Sequence, residues 1–166
     1  SIDSYQEQVA LLHRNMSTTM RFMDVALEEA RLAAERGEVP VGAVIVHKGE
    51  IVARCGNLTR ATSDVTAHAE IAAIRSAGEK LGSERLCECD LYVTLEPCAM
   101  CAAAISFARI RRLYFGAEDT KGGGVVNGVR FFDSATCHHR PEVYSGFSEK
   151  AAETMLKSFF AERRQR

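Results

Sequence analysis

The apolar positions of this chain change period several times, and each change marks an element. Met23, Ala26, Leu27, Ala30 and Ala33 recur at helical spacing, which predicts an amphipathic helix over 17–36, capped by Ser17 to Thr19 and ended by Gly37. Two apolar runs follow, Gly42 to Val46 and Ile51 to Arg54, and Lys48-Gly49-Glu50 between them reads as the tight turn of a β-hairpin. After a polar loop over 57–64, Ala69, Ala72, Ala73, Ile74 and Ala77 predict a second helix beginning at His68. Leu91 to Leu95 favours a strand, and Pro97 helps to start an alanine-rich helix from Cys98 to about Phe107. Arg112 to Gly116 predicts another strand. A long glycine-bearing loop then runs from Lys121 to about Pro141, a length uncommon unless functional. Ala152, Met155, Leu156, Phe159 and Phe160 give an apolar face to a last helix, from about Ser148 to Arg164. No internal repeat is present. A hairpin followed by alternating helices and strands predicts a three-layer α/β/α sandwich around a central mixed sheet of about five strands, mainly parallel after the hairpin.

Composition narrows this picture. A chain of 166 residues has room for one core, and 46% hydrophobic with 26% charged residues is an ordinary globular mix, not a disordered or fibrous one. No apolar run reaches the ~18 residues of a membrane span, so no membrane partner is expected. Ser1 to Asn15 carries Asp3, Glu7, His13 and Arg14 without a continuous apolar segment, so it does not read as a secretory signal and a cytoplasmic protein is expected. The net charge of −1 argues against a general nucleic-acid binder. Arg60, Lys121, Arg130, Arg140, Lys157, Arg163, Arg164 and Arg166 either converge into a local basic patch or lie scattered as solvated charges.

Six cysteines without a secretory signal point to free thiols or metal ligands. Cys55 and Cys137 stand alone, and Cys87-Glu88-Cys89 is too tight for a usual metal pair, so these four read as plain thiols. Cys98 and Cys101 differ: within a helix their spacing puts both sulfurs on one face about a turn apart. With His68 they make the three-ligand set of a catalytic zinc site, leaving Glu70 free to move protons. Such a metal lowers the pKa of bound water from 15.7 to about 7, which eases hydroxide formation by about 12 kcal/mol. What remains is proton shuttling, worth about 10² to 10⁴ in rate, for which Glu70 is the candidate. Two alternatives stay open. The site could be a closed, purely structural zinc centre, or His138-His139 could complete or replace the ligand set.

The pairing of Thr66-Ala67-His68-Ala69-Glu70 with Leu95-Glu96-Pro97-Cys98-Ala99-Met100-Cys101 resembles the cytidine deaminase-like superfamily of zinc-dependent deaminases. Glu38 to Val44, Gly56-Asn57, Phe115 to Lys121 and Phe159-Phe160 with Arg163-Arg164 are similar to its branch of bacterial tRNA-specific adenosine deaminases. The resemblance covers about Met20 to Arg164, so 20–166 is expected to be a deaminase domain and 1–19 an extension without a counterpart. It implies zinc-hydroxide hydrolysis of adenosine to inosine at the wobble position of the tRNA anticodon stem-loop, by a homodimer. By the same resemblance His68, Cys98 and Cys101 hold Zn2+ and Glu70 shuttles protons. Asn57 bonds the purine ring, and Val41, Ala69 and Asp119 lie along the nucleotide. Phe159, Phe160, Arg163 and Arg164 stand near the anticodon loop, with one of the two phenylalanines facing RNA. The stretch Gly122 to Pro141 departs from the family pattern. Two rival readings share the motif: a deaminase of free nucleobases or nucleosides, of guanine or cytosine type, and an inactive RNA-binding member of the fold.

Overall fold

The computed structural model describes residues 2–164. Helix α1 spans Ile2–Glu35, β1 Gly42–His47, β2 Glu50–Gly56, α2 Ala69–Leu81, β3 Cys89–Leu95, α3 Ala99–Ala108, β4 Arg112–Ala117, β5 Glu142–Tyr144 and α4 Glu149–Arg164, with one 3-10 turn at Phe131–Asp133. The strands form one mixed sheet in the order β2-β1-β3-β4-β5. Strand β1 runs antiparallel to both β2 and β3, whereas β3, β4 and β5 are parallel. Helices α1 and α4 cover one face and α2 and α3 the other, which gives the three layers expected.

Alternation along the strands explains why both faces are covered. Ala43, Ile45, Leu91, Val93, Leu113 and Phe115 enter the core under α2 and α3, while Val44, Val46 and Tyr92 meet Phe22, Met23 and Ala26 of α1. The hairpin closes through Lys48 and Gly49 at φ 49 and 79, the two left-handed residues of a primed two-residue turn. At the other end of β1, Gly42 lies so close to α1 that a methyl there would overlap the Ala26 carbonyl.

Two elements differ from the sequence reading. Helix α1 begins at Ile2, not at Ser17, because nothing between them breaks a helix. Thr18 does not cap a helix start: its Oγ1 donates back to the Arg14 carbonyl, a turn earlier in the same helix. The second difference is β5, three residues with one partly buried side chain, too short for periodicity to reveal. It forms because β4 offers a parallel edge and Arg112 pairs with Glu142 at 2.7 Å.

Candidate active site

A cavity of about 280 Å³ opens where the carboxyl ends of β3 and β4 meet the start of β1. Val39, Val41, Asn57, Thr59, His68, Ala69, Glu70, Leu95, Glu96, Cys98 and Asp119 line it. His68 is the N-cap residue of α2 and Cys98 that of α3, neither side chain makes a capping hydrogen bond, and both line the cavity. Two helix amino-termini therefore converge on one point, where their partial positive charge favours thiolate over thiol.

His68 Nδ1 lies 3.6 Å from Cys98 Sγ and 3.5 Å from Cys101 Sγ, and the three atoms all fall within 4.8 Å of one another. Tetrahedral zinc, with bonds of about 2.3 Å to sulfur and 2.0–2.1 Å to nitrogen, sets nitrogen and sulfur ~3.6 Å apart, so the trio fits such an ion. His138 and His139 are not part of this group. His139 Nε2 instead meets the Ile110 carbonyl oxygen at 2.6 Å, away from the trio. Cys55, Cys87, Cys89 and Cys137 are free thiols outside it.

Without metal the trio shares protons unequally. A hydrogen bond from the Cys101 thiol brings Cys98 down to about 4, and the same bond, with burial, pushes Cys101 up. The neighbouring Cys98 raises His68. Glu70, 4% exposed in the first turn of α2, is raised chiefly by burial. A carboxyl raised in this way and set beside a metal-binding trio suits a group that takes up and gives back a proton.

Opposite stands Asn57, 7% exposed, whose N–H donates to the Val41 carbonyl at 3.1 Å. Its Nδ2 has a long contact with Thr59 Oγ1 at 3.5 Å, and its Oδ1 is buried with no partner among the described residues. A buried amide left unpaired in a cavity wall calls for a ligand.

Residues 16–117, more than half of the chain, match the cytidine and deoxycytidylate deaminase zinc-binding region. The chain belongs to this deaminase family. Among its relatives, the tRNA-specific adenosine deaminase of Agrobacterium fabrum is 63% identical over 149 residues, which is 90% of this chain and 98% of that protein. That of Bacillus subtilis is 43% identical, over 87% and 90% of the two chains. A solved structure from a study of A-to-I editing by tRNA:A34 deaminases at the wobble position is 65% identical, covers 82% of this chain and 99% of its own, and superposes with a TM-score of 0.81. A Bacillus subtilis guanine deaminase is 32% identical, with a TM-score of 0.61 over 87% and 92% of the two chains.

The remaining predicted residues divide by position in the deaminase. Val41, Ala69 and Asp119 line the cavity; Phe159, Phe160, Arg163 and Arg164 belong to α4 and do not. Phe159 is 8% exposed and packs inward with the Arg163 guanidinium 4.4 Å over its ring, whereas Phe160 is 45% exposed. Arg163 donates to the Gly37 carbonyl, which also accepts from Arg60 at 3.2 Å, and lines a separate hollow with Gly37 and Phe159. Arg164 is exposed at the helix end. Arg140 pairs with Asp133 instead of joining them, and Arg166 lies outside the described residues.

Two buried carboxylates that hold the cavity walls were not picked out from the sequence. Glu96, 2% exposed, accepts from the backbone N–H groups of Asp119, Val125, Val126 and Asn127 at 3.0 to 3.1 Å, and from Asn127 Nδ2 at 2.7 Å. It thereby ties the glycine-bearing loop to the start of α3. Glu38, 1% exposed, accepts from the N–H groups of Arg60 and Ala61 at 3.2 and 2.7 Å, and so braces the loop that carries Asn57 and Thr59. The available signal was a charged residue abutting an apolar strand, as in Leu95-Glu96-Pro97, which is unusual unless its carboxylate is paired.

Proposed function

We propose that this deaminase hydrolyses adenosine to inosine at the wobble position of a tRNA anticodon stem-loop, releasing ammonia. The observation that carries the chemistry is the cavity lined by His68, Cys98, buried Glu70 and the unpaired Asn57 amide, with the Cys101 sulfur beside His68 and Cys98. The choice of substrate rests on the relatives above, since identity is 43 to 65% to the tRNA deaminases and 32% to the guanine deaminase.

In this reading His68, Cys98 and Cys101 hold zinc. When bound, the ion supplies Lewis-acid activation of water near neutral pH. Glu70 takes the proton that water gives up as the C6–oxygen bond forms and delivers it to the purine ring nitrogen. It then assists protonation of the amine as the C6–nitrogen bond breaks, so water and adenosine become inosine and ammonia. Asn57 hydrogen-bonds the purine edge, and rejects a base that leaves its amide unpaired. Val41 and Ala69 bound the base, and Asp119 lies along the nucleotide backbone. Phe160 is the α4 aromatic facing solvent and so the one free to stack on an unpaired base, with Arg163 and Arg164 beside it for phosphates. An anticodon loop presents its bases already splayed, which lessens the need for a strongly basic surface to bind it. The reading includes a homodimer and a cytoplasmic location; among the described residues no helix is long and apolar enough to cross a membrane.

The test is inosine formation in an unmodified tRNA with adenosine at the first anticodon position, beside free adenine, guanine, cytosine and their nucleosides, with Glu70→Ala as control. Inosine at that position, reduced by at least about 10²-fold in the variant, is expected. Ammonia from a free base with unchanged tRNA would replace this reading by that of a nucleobase deaminase. Binding of tRNA with no turnover of any substrate would leave the inactive member.

A further inference from the structure

Residues 36–41, which lead from α1 into β1, hold the loop after β2 at several points. The Arg36 guanidinium donates to the Asn57 carbonyl at 3.5 Å, the Asn57 N–H donates to the Val41 carbonyl, and the Glu38 carboxylate accepts from the N–H groups of Ala61 and Arg60 at 2.7 and 3.2 Å. The loop also has bonds of its own. Thr62 gives its N–H and its hydroxyl to the Leu58 carbonyl at 3.0 and 2.7 Å, and the Asp64 N–H meets the Thr59 carbonyl at 3.0 Å. A carboxylate is therefore not needed to make the chain turn here. Glu38 is 1% exposed and bonded to neutral donors, so its charge costs stability compared with an uncharged residue. Features kept against stability gather where a protein works.

A further contact leads from this carboxylate to the cavity. Glu38 Oε2 lies 3.5 Å from Thr59 Oγ1, which in turn lies 3.5 Å from Asn57 Nδ2. Thr59 and Asn57 line the cavity, and Glu38 does not. An ionised carboxylate only accepts, so the hydrogen of the Thr59 hydroxyl turns to Glu38 and its oxygen is left to accept from the Asn57 NH2 group. Both contacts are long, as hydrogen bonds at a site without its ligand often are before binding tightens them. The opposite end of the amide, Oδ1, is the buried atom without a partner among the described residues. One end of Asn57 is thus held by the wall and the other left to a ligand.

We infer, on the reading of Asn57 proposed above, that Glu38 is a positioning residue for base recognition, acting through Thr59 on the Asn57 amide. Glutamine at position 38 has the same shape, but with its oxygen kept on the Ala61 N–H it turns an NH2 group towards Thr59. The Thr59 hydroxyl then accepts from position 38 and points its own hydrogen at the Asn57 NH2 group, which displaces the amide. A shift of about 1 Å at a site can cost up to about 10²-fold in rate.

The experiment is a double-mutant cycle on the full, zinc-loaded chain. It is read in single turnover at subsaturating concentration, on whichever of the substrates tested above the wild type deaminates, so a different substrate would revise the proposed function and leave this test in force. Glu38→Gln is expected to slow the reaction about tenfold in the wild-type background and less than about twofold beside Asn57→Ala, because an amide that is absent cannot be displaced. Thr59→Val leaves the Glu38 bonds to Arg60 and Ala61 in place, is expected to show the same dependence on Asn57, and decides the matter if Glu38→Gln does not fold. Equal losses with and without the Asn57 side chain would overturn the relay and leave Glu38 as a brace of the fold alone. Wild-type rates in both Glu38→Gln and Thr59→Val would overturn it as well.

Discussion

Glu96 accepts five hydrogen bonds from a single loop, so glutamine at this position sets an NH2 group against donors that have no other partner. Glu96→Gln is expected to lose about 2–3 kcal/mol of stability, the usual result of leaving buried donors unmet. Because Glu96 also fixes Asp119, which lines the cavity, KM for the RNA should rise about tenfold with kcat little changed and bound zinc retained. An equal fall of kcat at unchanged KM would place Glu96 in the chemistry instead. The same carboxylate gives a pH signature. Burial alone would raise it, but the Asn127 amide and the N–H groups of Asp119, Val125 and Asn127 outweigh that and hold it below the usual range. A carboxyl lowered in the folded state stabilises fully above its unfolded value near 4.3, and that contribution is lost as pH falls through the folded value. The stability gap between wild type and Glu96→Gln should therefore be widest above about pH 5 and close in acid, as denaturation at stepped pH will show. A gap independent of pH would mean that the glutamate's charge is not what holds the loop.

At the scale of elements, Gly42 fixes how α1 crosses β1. Its missing side chain lets the helix backbone touch the strand, and Gly42→Ala should cost about 3 kcal/mol, read as a lower denaturant midpoint at unchanged slope. A midpoint within error of wild type would mean that the crossing relaxes freely. That contact was invisible in the sequence, where Gly42 reads only as the start of an apolar run. What was legible had local causes. Lys48-Gly49 specifies its turn, and the run of Val44, Ile45 and Val46 fits a strand covered on both faces. His68, Glu70, Cys98 and Cys101 could be named because each pair sits two or three residues apart on one helix start. Glu38 and Glu96 could not, because their partners lie more than twenty residues away in loops with no pattern of their own. The start of α1 was misread for a related reason. Ser17-Thr18-Thr19 has capping chemistry, but a cap acts only where the chain enters from a non-helical conformation, and the apolar stripe carries the helix straight through.

For the whole molecule, the His68, Cys98 and Cys101 trio joins two helices, α2 and α3, and the β3–α3 junction, so metal bound there should stabilise the fold as well as serve the reaction. A ligand bound only by the folded state adds about 2.7 kcal/mol at a hundred times its dissociation constant. At about 2–4 °C per kcal/mol for a chain of this size, stripping the metal should lower Tm by roughly 5–10 °C. Cys98→Ser should reproduce the stripped Tm and make it insensitive to added zinc, because serine is a poor zinc ligand. Glu70→Gln should instead keep zinc and the wild-type response to it while losing turnover, since Glu70 is buried beside the trio without belonging to it. The two variants thus separate holding the ion from moving the proton. If Glu70→Gln lost zinc along with Cys98→Ser, the carboxylate would belong to the ligand set and the assignment of a free proton carrier would fall.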